Sequence, residues 1–417
     1  MTGEGNNPFP LHQLRVVDLT NVIAGPVATK VLGQLGAQVI KIEQPWGRSV
    51  GSISMHPQDT GQPNPHNLGA TFNEVNRAKL SIAINLADEN GSRLLRELVS
   101  VSDVVIENFS PRVMRNLGLD FEALREVRPD LVMVSMPAMG RSGPWRNHIA
   151  FGPGTDALAG LSDVTGYEGG PPHKPGNFYA DPNSAFHVTT ATMAALWQRT
   201  KTGRGQHVEI VLREATMAII GEYFLAYQLT GRAPGRIGNR HPSMAPHNVY
   251  RCKGDDEWVV IAVASDEEWQ RFCAAIGDPA WCRETRFETA SERWNSRPEL
   301  DALIQTWTEQ RAHYDVMNIL QRNGVKAGAV LKVPEMLEDP HYKEREYIDR
   351  TEHPEAGASK HPGLPWNFSK APRNMGQRAP LYAEHSDWVL RDLVGLQQNE
   401  IAELRRSDTT PLEPADR

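Results

Sequence analysis

Cysteine is scarce: Cys252, Cys273 and Cys282 are the only ones in 417 residues. An odd number without zinc-type spacing excludes a disulfide framework and a thiolate metal centre, and a reducing, cytoplasmic setting is expected. The histidines form no ligand spacing either, so no metal is expected. Long apolar runs are missing, and Met1 to Pro10 has neither the basic region nor the apolar core of a signal peptide; no membrane association is expected. Charge of one sign is also missing. With 44 basic against 51 acidic residues the net charge is -7, which argues against nucleic acid as the main partner. The last absence is a glycine fingerprint. The first strand-to-helix turn reads Asn21-Val22-Ile23-Ala24-Gly25-Pro26, with one glycine, which argues against a nicotinamide dehydrogenase.

What is present is ordinary globular composition, 40% hydrophobic and 23% charged, with a repeated strand–helix alternation. Leu14 to Leu19, Gln38 to Glu43, Leu80 to Leu86, Val104 to Asn108, Leu131 to Met136 and His207 to Leu212 read as strands. Pro26 to Leu35, Asn90 to Val99, Phe121 to Val127, Ser184 to Trp197 and Glu214 to Leu229 read as helices. Strand, helix and strand within about thirty residues predict a right-handed parallel unit, the opening of a Rossmann-like α/β domain. Ligands of such sheets bind beyond the carboxyl ends of the strands, so Asn21 to Gly25, Asn108 to Ser110 and Pro137 to Gly140 are expected to line one crevice.

Composition shifts after Thr230, where Gly231 to His247 reads as a linker. Strand Trp258 to Val263, helix Asp266 to Gly277, helical segments within Pro298 to Arg322 and a strand in Val325 to Val333 predict a smaller α+β domain. The expected layout is a large domain over 1–230, linker and small domain over 231–345, and a return to the large domain over 346–417, with helices at Ser386 to Leu393 and Asn399 to Arg405.

Residues 137 to 184 are rich in glycine and proline, and long connections of this kind are usually functional. Asp181 stands at the far end, in Gly176-Asn177-Phe178-Tyr179-Ala180-Asp181-Pro182-Asn183-Ser184-Ala185-Phe186. Local pattern leaves two readings open. Asp181 is an N-cap with Pro182 at the first helical position, or it is a nucleophilic carboxylate facing a substrate.

Six stretches in order resemble the class III CoA-transferases, the family of formyl-CoA transferase and carnitine CoA-transferase. They are Leu14 to Thr20 with Ala24-Gly25-Pro26 and Leu35 to Glu43; Asn76 to Ile82; Val105 to Pro111; Lys201 to Gln206; Gly324 to Val330; and Leu381 to Ser386. The resemblance covers nearly the whole chain. It implies a Rossmann-like large domain built from both chain ends, a smaller α+β domain, and an interlocked homodimer. It also implies transfer of coenzyme A from an acyl-CoA to a carboxylic acid, with no permanently bound cofactor and with Asp181 as the nucleophile.

The positions the family uses for coenzyme A fall here on Ile23, Ala24, Gln44, Ile84, Asn85, Leu86, Ala87, Asn108, Phe109, Ser110, Arg115, Asn116 and Pro137. Ile23, Gln44 and Asn116 depart from formyl-CoA transferase, two of them replacing arginines, so Arg112, Arg115 or Lys79 is expected to meet the phosphates instead. That enzyme's glycine-rich loop is also missing; Gly238 to Pro242 stands in its region, which argues against formate or oxalate. Two rival functions follow. An acyl-CoA racemase of the same superfamily needs a histidine partner for the aspartate; Phe151 stands at that place and His148 lies three residues earlier. A non-catalytic coenzyme A-binding protein would form no covalent adduct.

Overall fold

Six runs rich in valine and isoleucine form one sheet. β1 (Arg15–Asp18), β2 (Gln38–Glu43), β3 (Leu80–Ala83), β4 (Val104–Glu107), β5 (Val132–Ser135) and β6 (Gln206–Glu209) lie in the order β3-β2-β1-β4-β5-β6, every pair parallel. The structure, a computed structural model, describes residues 8–46, 48, 64–176, 179–373 and 376–415. Residues 1–7 of the N-terminal stretch, and Asn177 and Phe178 just before Asp181, lie outside the described residues.

Parallel strands covered on both faces are buried throughout rather than alternately, and β4 and β5 are buried at every position. Side-chain alternation along each strand builds two cores. On one face Val17, Ile40, Ile82, Val105 and Met133 pack with Leu94, Leu95 and Leu98 of the helix Glu89–Ser100, joined by Leu390 and Ile401 from the tail. On the other, Val16, Val39, Val104 and Val132 pack with Ala28 and Leu32 of helix α1 (Ala24–Gln34) and with Ala185 and Val188 of the helix Ala180–Thr202. The chain fills the sheet outward from β1 through β2 to β3, then crosses back to β4. The β1/β4 boundary is therefore the switch point, where such sheets open a crevice.

The chain divides into two compact units. Unit 1 comprises Met1–Ser162, Lys174–Arg232 and His341–Arg417; unit 2 comprises Asp163–His173 and Ala233–Pro340. Within unit 1 the tail closes on the β3 side of the sheet. The His385 N–H donates to the Ser81 carbonyl (2.8 Å), the Asn85 N–H to the Thr409 carbonyl (2.8 Å), and the Tyr382 hydroxyl to the Gln44 carbonyl (2.8 Å). Within unit 2, β7 (His247–Arg251), β8 (Trp258–Ala262) and β9 (Lys326–Ala329) form an antiparallel sheet. Trp269, Phe272, Phe287 and Leu300 pack on it.

Three expectations change. The long helix begins at Ala180, not Ser184, which puts Asp181 and Pro182 inside its first turn. Its outward side chains Phe186 and Trp197 are exposed. The single helix expected over Glu214 to Leu229 is two, Leu212–Ala218 and Gly221–Thr230. The tail also carries an unexpected hairpin, β10 (Ile348–His353) against β11 (Gly357–Pro362).

Candidate active site

The carboxyl ends of β1 and β4 are tied together. The Asn21 N–H donates to Asn108 Oδ1 (2.8 Å), and Asn108 Nδ2 donates to the Asn21 carbonyl (2.8 Å). Next to this clasp Val22 adopts φ 68, a left-handed conformation that is an outlier for a β-branched residue. The lone glycine of the turn serves the backbone: a Cβ at Gly25 would lie 2.3 Å from the Thr20 Cβ.

A buried charge network holds the strained turn from below. Asp18 accepts from the Thr20 N–H (2.9 Å), the Thr20 hydroxyl (2.6 Å), the Thr29 hydroxyl (2.8 Å) and Lys79 Nζ (2.9 Å), and Lys41 Nζ donates to the Thr20 carbonyl (2.7 Å). Burial alone would push Asp18 up, but Lys79, Lys41 and the Thr20 hydroxyl outweigh it and hold it well below the usual carboxylate range. Lys79 is thus a structural group, buried and paired with Asp18, and its burial pulls it down to about 7 against the pull of that carboxylate. The expectation that it meets a phosphate fails because its ammonium never reaches solvent. On the β4 side, Glu107 Oε2 accepts from the Phe109 N–H (2.7 Å), fixing the turn Asn108 to Ser110.

Above these turns lies a cavity of about 430 Å³. Of the sequence-derived positions, Ile23, Ala24, Asn108, Phe109, Ser110, Pro137 and Asp181 line it together. Gln44 lines a small neighbouring cavity with Lys41, Trp46, Arg48 and Phe72; Asn21 and Val22 border both. The remaining positions line neither. Ile84 is 1% exposed and belongs to the core, and Asn85 Oδ1 is used by the Ala87 N–H, with Leu86 between them. Arg115 and Asn116 are exposed on the short helix Val113–Asn116, where Arg115 stands 3.8 Å from Asp120.

Asp181 is 9% exposed at the cavity wall. It does not cap its own helix. The Ala180 N–H donates instead to Asp156 Oδ1 (3.0 Å), from the helix Gly152–Leu158. Asp156 is fully buried, and its Oδ2 has no hydrogen-bond partner among the described residues. No described residue donates a hydrogen bond to the Asp181 carboxylate or pairs with it. Burial first, and the neighbouring Asp156 carboxylate second, push Asp181 up to about 6. Nothing local in the sequence marks Asp156 as a cap. It sits mid-helix in a stretch that reads as glycine- and proline-rich loop, and it acts across elements.

The loop before that helix adds Arg146, His148, Ile149 and Phe151 to the cavity wall. Its Trp145 is flanked by the Arg213 guanidinium (4.7 Å from the ring centroid) and the His148 ring (5.7 Å, 17° from parallel). Among the described residues one cluster elsewhere has metal-ligating types, Glu257, His313 and Glu335 in unit 2. The two nitrogens of His313 face different carboxylates, Glu335 at 3.0 Å, and Lys332 Nζ sits 3.0 Å from Glu257. The cluster is a chain of polar side-chain contacts with an ammonium already in place. No described helix is long and apolar enough to cross a membrane.

Residues 11–386 match the profile of CoA-transferase family III. The chain is 32% identical over 398 residues to the succinyl-CoA–D-citramalate CoA-transferase of Chloroflexus aurantiacus, covering 95% of this chain and 97% of that one. It is 31% identical over 401 residues to the succinate–glutarate CoA-transferase of Agrobacterium fabrum, covering 95% and 99%. Its fold is similar to that of a CAIB/BAIF family protein from Brucella suis, with TM-score 0.83, 30% identity and coverage of 92% and 99%.

Proposed function

The chain belongs to CoA-transferase family III, and on that premise we propose that it moves coenzyme A from an acyl-CoA thioester to a carboxylic acid, with Asp181 as the covalent carrier. The observation that carries this reading is the state of Asp181. It is a nearly buried carboxylate on the wall of a largely apolar cavity, relieved of capping by Asp156 and engaged by no described donor.

A carboxylate so placed is weakly solvated, and at neutral pH most of it is ionised. Its oxygen attacks the thioester carbonyl; the C–S bond breaks, leaving a mixed anhydride and coenzyme A thiolate. The thiolate attacks the Asp181 carbonyl of the anhydride, forming an aspartyl-CoA thioester and releasing the donor acid as its carboxylate. The acceptor carboxylate attacks that thioester, a second anhydride forms, and the thiolate takes the new acyl group while Asp181 returns. Every nucleophile and every leaving group is an anion, so no step needs a proton. Two covalent intermediates replace one difficult exchange. Water destroys both, so the apolar walls serve to exclude it. Asn21, Val22, Ile23 and the turn Asn108 to Ser110 form the coenzyme A side, with Gln44 and the neighbouring cavity toward the nucleotide.

The reading extends to the assembly and its setting: a homodimer of interlocked chains in the cytoplasm, each with a large domain made from both chain ends. The helix Gly221–Thr230 supports the dimer, since it carries Phe224, Leu225, Tyr227 and Leu229 yet has no buried residue.

The test is trapping. Incubation with acyl-CoA and then hydroxylamine is expected to convert Asp181 to a hydroxamate, read as a mass change on its peptide. Asp181→Asn is expected to show no label and to lose transfer by orders of magnitude, because an amide is a far weaker nucleophile. A label on another residue, or near-parent transfer in the variant, defeats the assignment. A racemase is the second reading, favoured by one observation: His148 shares the cavity with Asp181. Deuterium wash-in at the α-carbon of a branched acyl-CoA distinguishes it.

A further inference from the structure

We propose that Arg146 forms an anion subsite in the Asp181 cavity, which takes the second carboxylate of a short dicarboxylic acid, free or as its mono-CoA thioester. The inference rests on the transferase reading and narrows its substrate class.

The cavity wall is mostly apolar, with Ile23, Phe109, Met136, Ile149, Phe151 and Leu212 among its residues. Its ionisable side chains, among the described residues, are Asp181, His148 and Arg146, so Arg146 is its one permanent cation. That cation is unspent. Arg48 is 2.8 Å from Glu43, Arg77 is 2.7 Å from Asp349, and Arg199 is 3.0 Å from Asp103. Arg146, by contrast, has no carboxylate partner among the described residues, and its guanidinium makes one long contact, 3.5 Å to the Gly143 carbonyl.

The backbone that presents it is held. Trp145 next to it is clamped between Arg213 and His148, the His148 N–H donates to the Trp145 carbonyl (2.8 Å), and Arg213 Nε donates to the Leu158 carbonyl (2.9 Å). Leu158 ends the same short helix that carries Asp156. Arg146 is thereby tied to the element that caps the Asp181 helix.

A guanidinium offers a planar fork that fits a carboxylate bidentately. A monocarboxylic acid has no anion left for it, since its one carboxylate is consumed at Asp181. A dicarboxylic acid keeps a second one a few bonds away, and the exposed guanidinium of Arg146 offers it a charged partner on the wall of the same cavity. The phosphates of coenzyme A are the competing anions. They stand a whole pantetheine arm from the thioester, whereas Arg146 shares a cavity with the carboxylate that attacks it.

The test compares succinyl-CoA with butyryl-CoA, which match in chain length and differ in the terminal carboxylate. Both are assayed as donors with the parent, Arg146→Met and Arg146→Lys, and free coenzyme A binding is followed by calorimetry. Loss of one charge-assisted contact in Arg146→Met is expected to lower kcat/KM for succinyl-CoA about 10- to 100-fold. Butyryl-CoA turnover and coenzyme A affinity are expected to stay near the parent values, and Arg146→Lys to recover part of the loss. An equal fall with both donors, an unchanged preference for succinyl-CoA, or weakened coenzyme A binding overturns the subsite. If hydroxylamine trapping labels Asp181 from butyryl-CoA as readily as from succinyl-CoA in the parent, the subsite fails while the transferase reading stands. Absence of label from either donor removes both.

Discussion

Asp181 and Asp156 make one functional group out of two residues. Asp156 spends one oxygen on the Ala180 N–H, and its charge reaches Asp181 through a buried setting. Asp156→Asn separates these roles, because an amide oxygen still accepts from Ala180 while the charge is gone. In the proposed mechanism Asp181 attacks only when ionised, and its ionised fraction rises as pH passes through about 6. Removing a neighbouring negative charge lowers that value, so the acid limb of the labelling rate is expected to move down by about one pH unit. Asp156→Ala is expected to move the limb likewise and in addition to cost about 1 kcal/mol of stability through the lost cap. A limb that stays in place in Asp156→Asn, measured as labelling rate between pH 4.5 and 8, counts against the coupling. Local pattern in the sequence left Asp181 open between an N-cap and a nucleophile, and only the family resemblance singled it out; the structure removes the capping role, since the Ala180 N–H goes to Asp156. Asp156 and Arg146 were not legible, because what makes them matter is contact across elements.

Strands and helices with apolar periods were readable to within a few residues, as β1, β2, β4 and β8 illustrate. The hairpin β10–β11 was not, and its burial explains why. The inward positions of β10 are Asp349, Thr351 and His353 rather than apolar residues. The buried Arg77 guanidinium meets Asp349 at 2.7 Å and the Pro362 carbonyl at 2.6 Å, and His361 on β11 meets Glu74 at 2.6 Å. A strand whose hidden face is polar gives no hydrophobic alternation to find. The Asn21–Asn108 clasp is the element-level feature of most consequence for the site, since it holds two strand ends at the switch point. Asn108→Ala leaves the Asn21 N–H and carbonyl without those partners and lets the Val22 turn relax from its left-handed conformation. Two lost hydrogen bonds of about 1 kcal/mol each set the scale, so coenzyme A affinity is expected to fall up to about 30-fold in a folded protein. Unchanged affinity by calorimetry, with a parent-like circular dichroism spectrum, refutes a role for the clasp in binding.

At the scale of the whole molecule, the helix Gly221–Thr230 exposes Phe224, Leu225, Tyr227 and Leu229, the last of them 77% exposed. In the proposed interlocked homodimer these side chains are covered, and linked chains separate only by unfolding. Sedimentation at nanomolar concentration is therefore expected to show dimer only, and a folded monomer there rules the interlock out. The covalent path of the chain has a further effect, which concerns the order in which the protein is made. Domains ordinarily fold from the N-terminus as they emerge from the ribosome. Here Asp163–His173 is synthesised long before Ala233–Pro340, the rest of the unit it joins. The β3 edge of the sheet likewise waits for His385 and Thr409 to satisfy Ser81 and Asn85. Neither unit is complete until synthesis is well advanced, and the early strands spend that interval with their later partners still untranslated. A premature stop only a few residues before Thr409 leaves all six strands in place but takes away the carbonyl that receives the Asn85 N–H just beyond β3.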